Sequence, residues 1–163
     1  MSGAFSVSVG IRTIGAAATK VVVIGQNKLI KQLDFTGKLA EKLASAGVDD
    51  RTFNAAISQI RDSGPTSLSL HLNLAKLVSV SDETSRYNAP SNSLAIFKEI
   101  KGISASKGNL NIVLYTEYAH AFASFCSVAR CFPLYTRKTL SDAKEKFFEK
   151  IHVELVLPEN EKV

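Results

Sequence analysis

The chain has 163 residues, with 20 Lys or Arg against 15 Asp or Glu, a formal charge of +5 and 45 % hydrophobic content. That is one ordinary domain's length with enough apolar material for a core, which excludes wholesale disorder and fibrous repeats. Two cysteines cannot make a disulfide scaffold, no Asn-x-Ser/Thr acceptor occurs, and no apolar run nears the ~20 residues of a membrane span. Lys20 interrupts the only apolar stretch near the start and no basic leader precedes it, so no signal peptide is read there. The expectation is a soluble, cytoplasmic protein with no membrane partner.

Strands and helices alternate along the chain. Phe5–Val9 has strict period-2 alternation, and Lys20–Gly25 is a β-branched run ended by glycine, the pattern of a strand buried on both faces. Residues 37–46 place Leu39 and Leu43 on one helical face, with Thr36 before and Gly47 as the stop. Asp50 is the expected N-cap of a second helix carrying Phe53, Ala56, Ile57 and Ile60, broken by Gly64-Pro65. Leu68–Leu72 and Lys76–Val80 then read as a hairpin joined through Asn73.

Residues 81–93 are polar and read as an exposed loop, with Asn88 and Pro90 as the start of a short helix over Leu94, Phe97 and Lys101. Asn109–Tyr115 is a buried strand. Tyr118, Phe122, Phe125, Ala129 and Phe132 recur at spacings of 4, 3, 4 and 3, predicting an amphipathic helix with these residues as its apolar face, closed by Pro133. Residues 141–148 are marginally helical, Ile151–Leu157 alternates as a last strand, and Pro158 precedes a charged tail. The expected fold is α/β, a mixed sheet with helices packed on it. Residues 1–158 would form the domain and 159–163 a tail or linker stub.

The chemistry-bearing residues are sparse. His71 and His152 sit at alternating positions of expected strands with no ligand partner at metal spacing, so both read as structural or surface histidines. Cys126 and Cys131 fit neither a zinc pair nor a redox motif, and Cys126 reads as a buried small hydrophobe. His120 lies almost two turns from Cys126, too far for a Cys–His dyad. No glycine-rich phosphate loop occurs, and Asp49-Asp50 and Asp82-Glu83 lie in connections where capping and solvation are the ordinary uses. The positive charge is thinly spread: residues 1–81 carry nine basic and five acidic groups, residues 82–163 eleven and ten. That distribution argues against a nucleic-acid partner.

Two segments carry more information. Ser85-Arg-Tyr-Asn-Ala-Pro-Ser-Asn-Ser93 and the stretch His120–Lys138, with its F-A-S-x-x-x-x-A-R-x-F-P-L-[FY]-T pattern, resemble the N-terminal domain of the leucine (cytosol) aminopeptidases. The nearest branch is the animal one that includes nematode enzymes and probable aminopeptidase-like-1 proteins. The strand ending in Ile24-Gly25 and the stretch Phe35–Lys38 extend the likeness over essentially the whole chain.

The resemblance implies a macro-like mixed sheet with no catalytic, cofactor-binding or metal-binding residue in this chain. Two divalent metals, Zn or Mn, belong to a following catalytic domain beside an N-T-D-A-E-G-R segment that is absent here. Its implied partners are that catalytic domain and like subunits, as a hexamer in the full-length family. Arg86, Asn88, Pro90, Leu134, Tyr135 and Leu140 are the candidate domain or subunit contacts. Arg86, Asn88 and Pro90 also fit a plain loop-to-helix start, and core packing suits Leu134 and Tyr135 as well. The alternative function is a stand-alone macro-like module for a nucleotide or ADP-ribose, against which the dispersed glycines count.

Overall fold

A computed structural model of the protein describes residues 4–10, 20–87, 91–103, 108–132 and 148–158. At its centre lies β2 (Lys20–Gln26), where the run Val21 to Ile24 leaves at most 2 % of each side chain exposed. Such a strand needs apolar cover on both faces, which parallel neighbours with crossover helices supply. Its neighbours are β4 (Ala75–Val80) and β5 (Asn109–Tyr115), both parallel to it. With β1 (Ala4–Val9), β3 (Thr66–Leu70) and β6 (Lys150–Val156), the described strands form one sheet in the order β1-β6-β5-β2-β4-β3. Every pair is parallel except the edge hairpin β3–β4.

Alternate residues of the strands feed two cores. On one face Val21, Val23, Leu77 and Val113 meet Leu39 and Leu43 of α2 (Gly37–Ser45) and Phe53 and Ala56 of α3 (Asp50–Ser58). On the other, Val22, Ile24, Val78 and Ile112 meet Ile96 and Ile100 of α4 (Ser93–Lys101) and Val128 of α5 (Tyr118–Ala129). A single turn, α1 (Asn27–Ile30), follows β2 directly. One close approach fixes the centre. A Cβ on Gly25 would lie 2.7 Å from the Tyr115 carbonyl oxygen, so β2 and β5 touch there only because residue 25 has no side chain.

Four sequence expectations change. The N-cap of α3 is Asp49, not Asp50: its carboxylate accepts from the Thr52 backbone N–H at 3.0 Å, which holds its carboxyl below the ordinary aspartate range. Strand β3 ends at Leu70, and His71 belongs to the turn. His71, Leu72 and Asn73 take φ of 38°, 54° and 63°, a left-handed run no strand can contain. The His71 ring lies so close to Gly47 that a Cβ there would meet it at 2.4 Å. Helix α4 begins at Ser93 with a left-handed Asn92 as N-cap, whose carbonyl accepts from Ala95 and Ile96.

The fourth correction concerns α5. The stripe expected to face the core is turned aside: Tyr118 is 57 % and Phe122 80 % exposed, while Ala121, Ser124, Ser127 and Val128 are buried. Only its far end follows expectation, with Phe125 and Phe132 each 6.4 Å from the Phe5 ring. Burial of serine is made tolerable at Ser127, whose hydroxyl donates to the Ala123 carbonyl at 2.8 Å. The expected helix at 141–148 lies outside the described residues apart from its last residue, buried Phe148.

Candidate functional site

Open α/β sheets place ligands beyond the carboxyl ends of their parallel strands, at points where successive crossovers diverge. Here β2 is flanked by β5 and β4, and a small crevice opens at their carboxyl ends. It is lined by Gly25 and Gln26 of β2, Val80 of β4, Leu114, Tyr115 and Thr116 after β5, and Ser91, Ile96, His120 and Ser124. The Gln26 side-chain N–H donates to His120 Nδ1 at 3.1 Å, and its Oε1 is buried without a hydrogen-bond partner. Glu117 lies 3.7 Å from the same His120 nitrogen and pairs with Lys28, whose backbone N–H donates to the Asp82 carboxylate.

This crevice is small, and most of its exposed lining is apolar. The described residues enclose room for about one water molecule, far less than a nucleotide fills. His120 accepts from Gln26, and Cys126, half-buried farther along α5, shows no hydrogen bond to it among the described residues. The burial expected of Cys126 is therefore only partial. Cys131 donates toward the Phe97 and Ser127 carbonyls, and burial pushes its thiol up to about 11, away from nucleophilic use near neutrality.

A second polar set lies across the α2 face of the sheet. Lys42 of α2 donates to Glu154 of β6 at 2.6 Å, with the two side chains 6 % and 0 % exposed. Strand register brings Ser6 opposite His152 and Ser8 opposite Glu154. Accordingly Ser6 Oγ is 2.6 Å from His152 Nδ1, and Ser8 Oγ is 3.2 Å from His152 Nε2. Burial, and then the Glu154 charge, pushes the Tyr115 hydroxyl up to about 12.

Serine, histidine and glutamate in this order suggest a nucleophile relay. The geometry does not complete one: His152 Nε2 stands 3.5 Å from Glu154 Oε1, beyond a good hydrogen bond, and that carboxylate already neutralises Lys42. The network seats α2 on the sheet. Its members were legible only as alternating strand positions and a helical lysine, because the partners Lys42 and Glu154 are 112 residues apart.

Of the proposed contact residues, Arg86 is exposed in the turn after β4, beside Tyr87 at 96 % exposure. Asn88, Pro90, Leu134, Tyr135 and Leu140 lie outside the described residues. Among the described residues, no group of three His, Cys, Asp or Glu side chains is placed to hold a metal ion. The donor set therefore does not fit a two-metal centre, which needs several converging carboxylates. No helix among the described residues is long and apolar enough to cross a membrane.

Known proteins place the fold. A family described as M17 aminopeptidase N-terminal domain 2 matches residues 19–141. Leucine aminopeptidase 1 of Caenorhabditis elegans is 33 % identical over 132 residues, 80 % of this chain and 26 % of that protein. Probable aminopeptidase NPEPL1 of Homo sapiens is 30 % identical over 92 residues, 56 % of this chain and 18 % of that protein. The solved structure of the Caenorhabditis elegans enzyme superposes with a TM-score of 0.79 at 28 % identity, over 98 % of this chain and 32 % of that one. This chain thus spans about a quarter of the length of that curated relative. With the six-stranded α/β sheet and this match in hand, the chain belongs to the M17 aminopeptidase N-terminal domain family.

Proposed function

We propose that this chain is a non-catalytic N-terminal domain of a leucine aminopeptidase-like metalloexopeptidase, one whose full-length form removes N-terminal amino acids from peptides. Residues 1–158 form the domain, and 159–163 a tail or the start of a linker. The carrying observation is the family match over residues 19–141, joined to a polar inventory spent on structure: Lys42–Glu154, His152 with two serines, and His120 with Gln26. Its work is to position a catalytic domain and to contribute to a homo-oligomer, a hexamer by family resemblance, in the cytoplasm. Two divalent ions, Zn or Mn, would supply Lewis-acid chemistry in the catalytic domain, and no residue described here serves as their ligand.

The test is direct. The purified chain, incubated with leucyl-anilide or short peptides and added Mn or Zn, is expected to release no amino acid. Turnover that survives repurification and scales with the concentration of this chain would overturn the reading.

A further inference from the structure

A helix on a sheet ordinarily shows charge to water on its outer face. Helix α5 does not. From Tyr118 to Ala129 it contains no Lys, Arg, Asp or Glu. At 100° per residue its buried side runs through Ala121, Ser124 and Val128, and the opposite side carries the exposed Tyr118, Ala119 and Phe122 with the half-buried Ala123, Cys126 and Ala129. Phe122, at 80 % exposure, stands at the middle of that side, with Tyr118 one turn before it. Exposed Ala119 adds no bulk beside the ring. The first charge on this side is Arg130, just past the helix end, where its guanidinium lies 5.7 Å from the Phe97 ring centre.

A helix with no charge on its outer face and two aromatic rings exposed there is suited to lie between two layers. The sheet is one of them. We propose that the outer face of α5, centred on Phe122, is a docking surface whose occupant is the catalytic portion of a family-length chain. This rests on the reading given under Proposed function. Three observations favour that occupant over a small ligand or a charged partner. The face is uncharged and presents two exposed aromatic rings, so it suits a broad apolar surface with a socket for one of them. It lies on a helix whose other side packs into the sheet core through Val128 and Phe125, as a positioning contact requires. Relatives carry far more chain than this domain, which accounts for only 32 % of the solved Caenorhabditis elegans protein.

Hydroxyl-radical footprinting read by mass spectrometry reports side-chain access at Phe122 directly. Three samples are compared: this chain alone, a chimera in which it replaces the corresponding domain of Caenorhabditis elegans leucine aminopeptidase 1, and this chain mixed in trans with that protein's remaining portion. The mixture gives a readout should the chimera fail to fold. In the chain alone Phe122 and Tyr87 are both expected to react strongly. In the chimera or mixture Phe122 reactivity should fall several-fold while Tyr87 stays reactive. Phe122→Glu should leave the melting temperature of the isolated chain unchanged and abolish the protection read at the neighbouring Tyr118, which the chimera or mixture otherwise also shields.

Phe122 equally reactive in the chimera, or in the mixture where the chimera does not fold, would overturn the proposal. Protection in the chain alone, rising with concentration alongside a dimer mass by sedimentation, would also overturn it, in favour of a second copy as occupant. Metal-dependent hydrolysis by the isolated chain would instead sink the reading of function and leave the footprint to be judged by itself.

Discussion

Helices α2 and α5 cover opposite faces of one sheet and solve the problem in opposite ways. Helix α2 exposes Lys38 and Glu41 to water and buries Leu39, Leu43 and a charge, Lys42, against Glu154. Helix α5 buries Ala121, Ser124 and Val128 and exposes Tyr118 and Phe122. The first is finished within this domain: its outer face is solvated and its inner charge is paired. The second is not, and its surplus apolar area is where the domain is made to meet something else. A buried ion pair contributes little net stability but favours one seating of α2, since any other separates Lys42 from Glu154.

The largest expected effect breaks that seating. Lys42→Ala strands the Glu154 carboxylate in the core and should cost about 3–5 kcal/mol in denaturant unfolding, whereas replacing the pair together, Lys42→Met with Glu154→Leu, should be close to neutral or stabilising. Equal losses from the single and double variants would show that the pair contributes nothing specific.

Next comes the point where both layers meet the sheet. Gly25→Ala drives a methyl into the Tyr115 carbonyl and Cβ, at 2.7 Å and 2.8 Å. The strands must part, at about 1–3 kcal/mol. An unchanged midpoint would mean that β2 and β5 do not approach as described.

The α2 side also has a pH signature. Tyr115 ionises near 10.0 when unfolded and at about 12 in the fold, so the neutral hydroxyl is the form the fold favours. Its contribution is complete below pH 10.0 and is lost as the pH rises to about 12. Ultraviolet titration should show one late tyrosine, and Glu154→Gln should move it earlier by removing the neighbouring charge. The smallest effect belongs to α5: Phe122→Ser in the isolated chain should change stability by no more than about 0.5 kcal/mol, because the ring touches water rather than core. A loss of several times that would place Phe122 inside the domain and remove the contrast between the helices.

What sequence could foresee divides along the same line. The β-branched run at Lys20–Gly25 and the stretch Asn109–Tyr115 announce strands because their pattern is local, and both appear with nearly those bounds. The hairpin and the resemblance in Ser85–Ser93 and His120–Lys138 likewise pointed to the right family and sheet. The inward face of α5 differs from the expectation because apolar residues fall on several sides of this helix and two serines on its buried one, so its aromatics attract the assignment that small Ala121 and Ser124 actually hold. Lys42 was invisible as a core residue because only tertiary pairing makes it one. His71 and Leu72 carry no local sign of a left-handed turn, which the short hairpin imposes on them.

The proposal that unites these parts is that the polar groups of the described residues serve architecture rather than hydrolysis. Isothermal titration of the folded, chelator-treated chain with Zn and with Mn measures this most directly, since a two-metal hydrolytic centre would bind such ions saturably. The account predicts no saturable site for either metal. Stoichiometric binding of one or two ions would contradict it, and would place a metal centre in this chain.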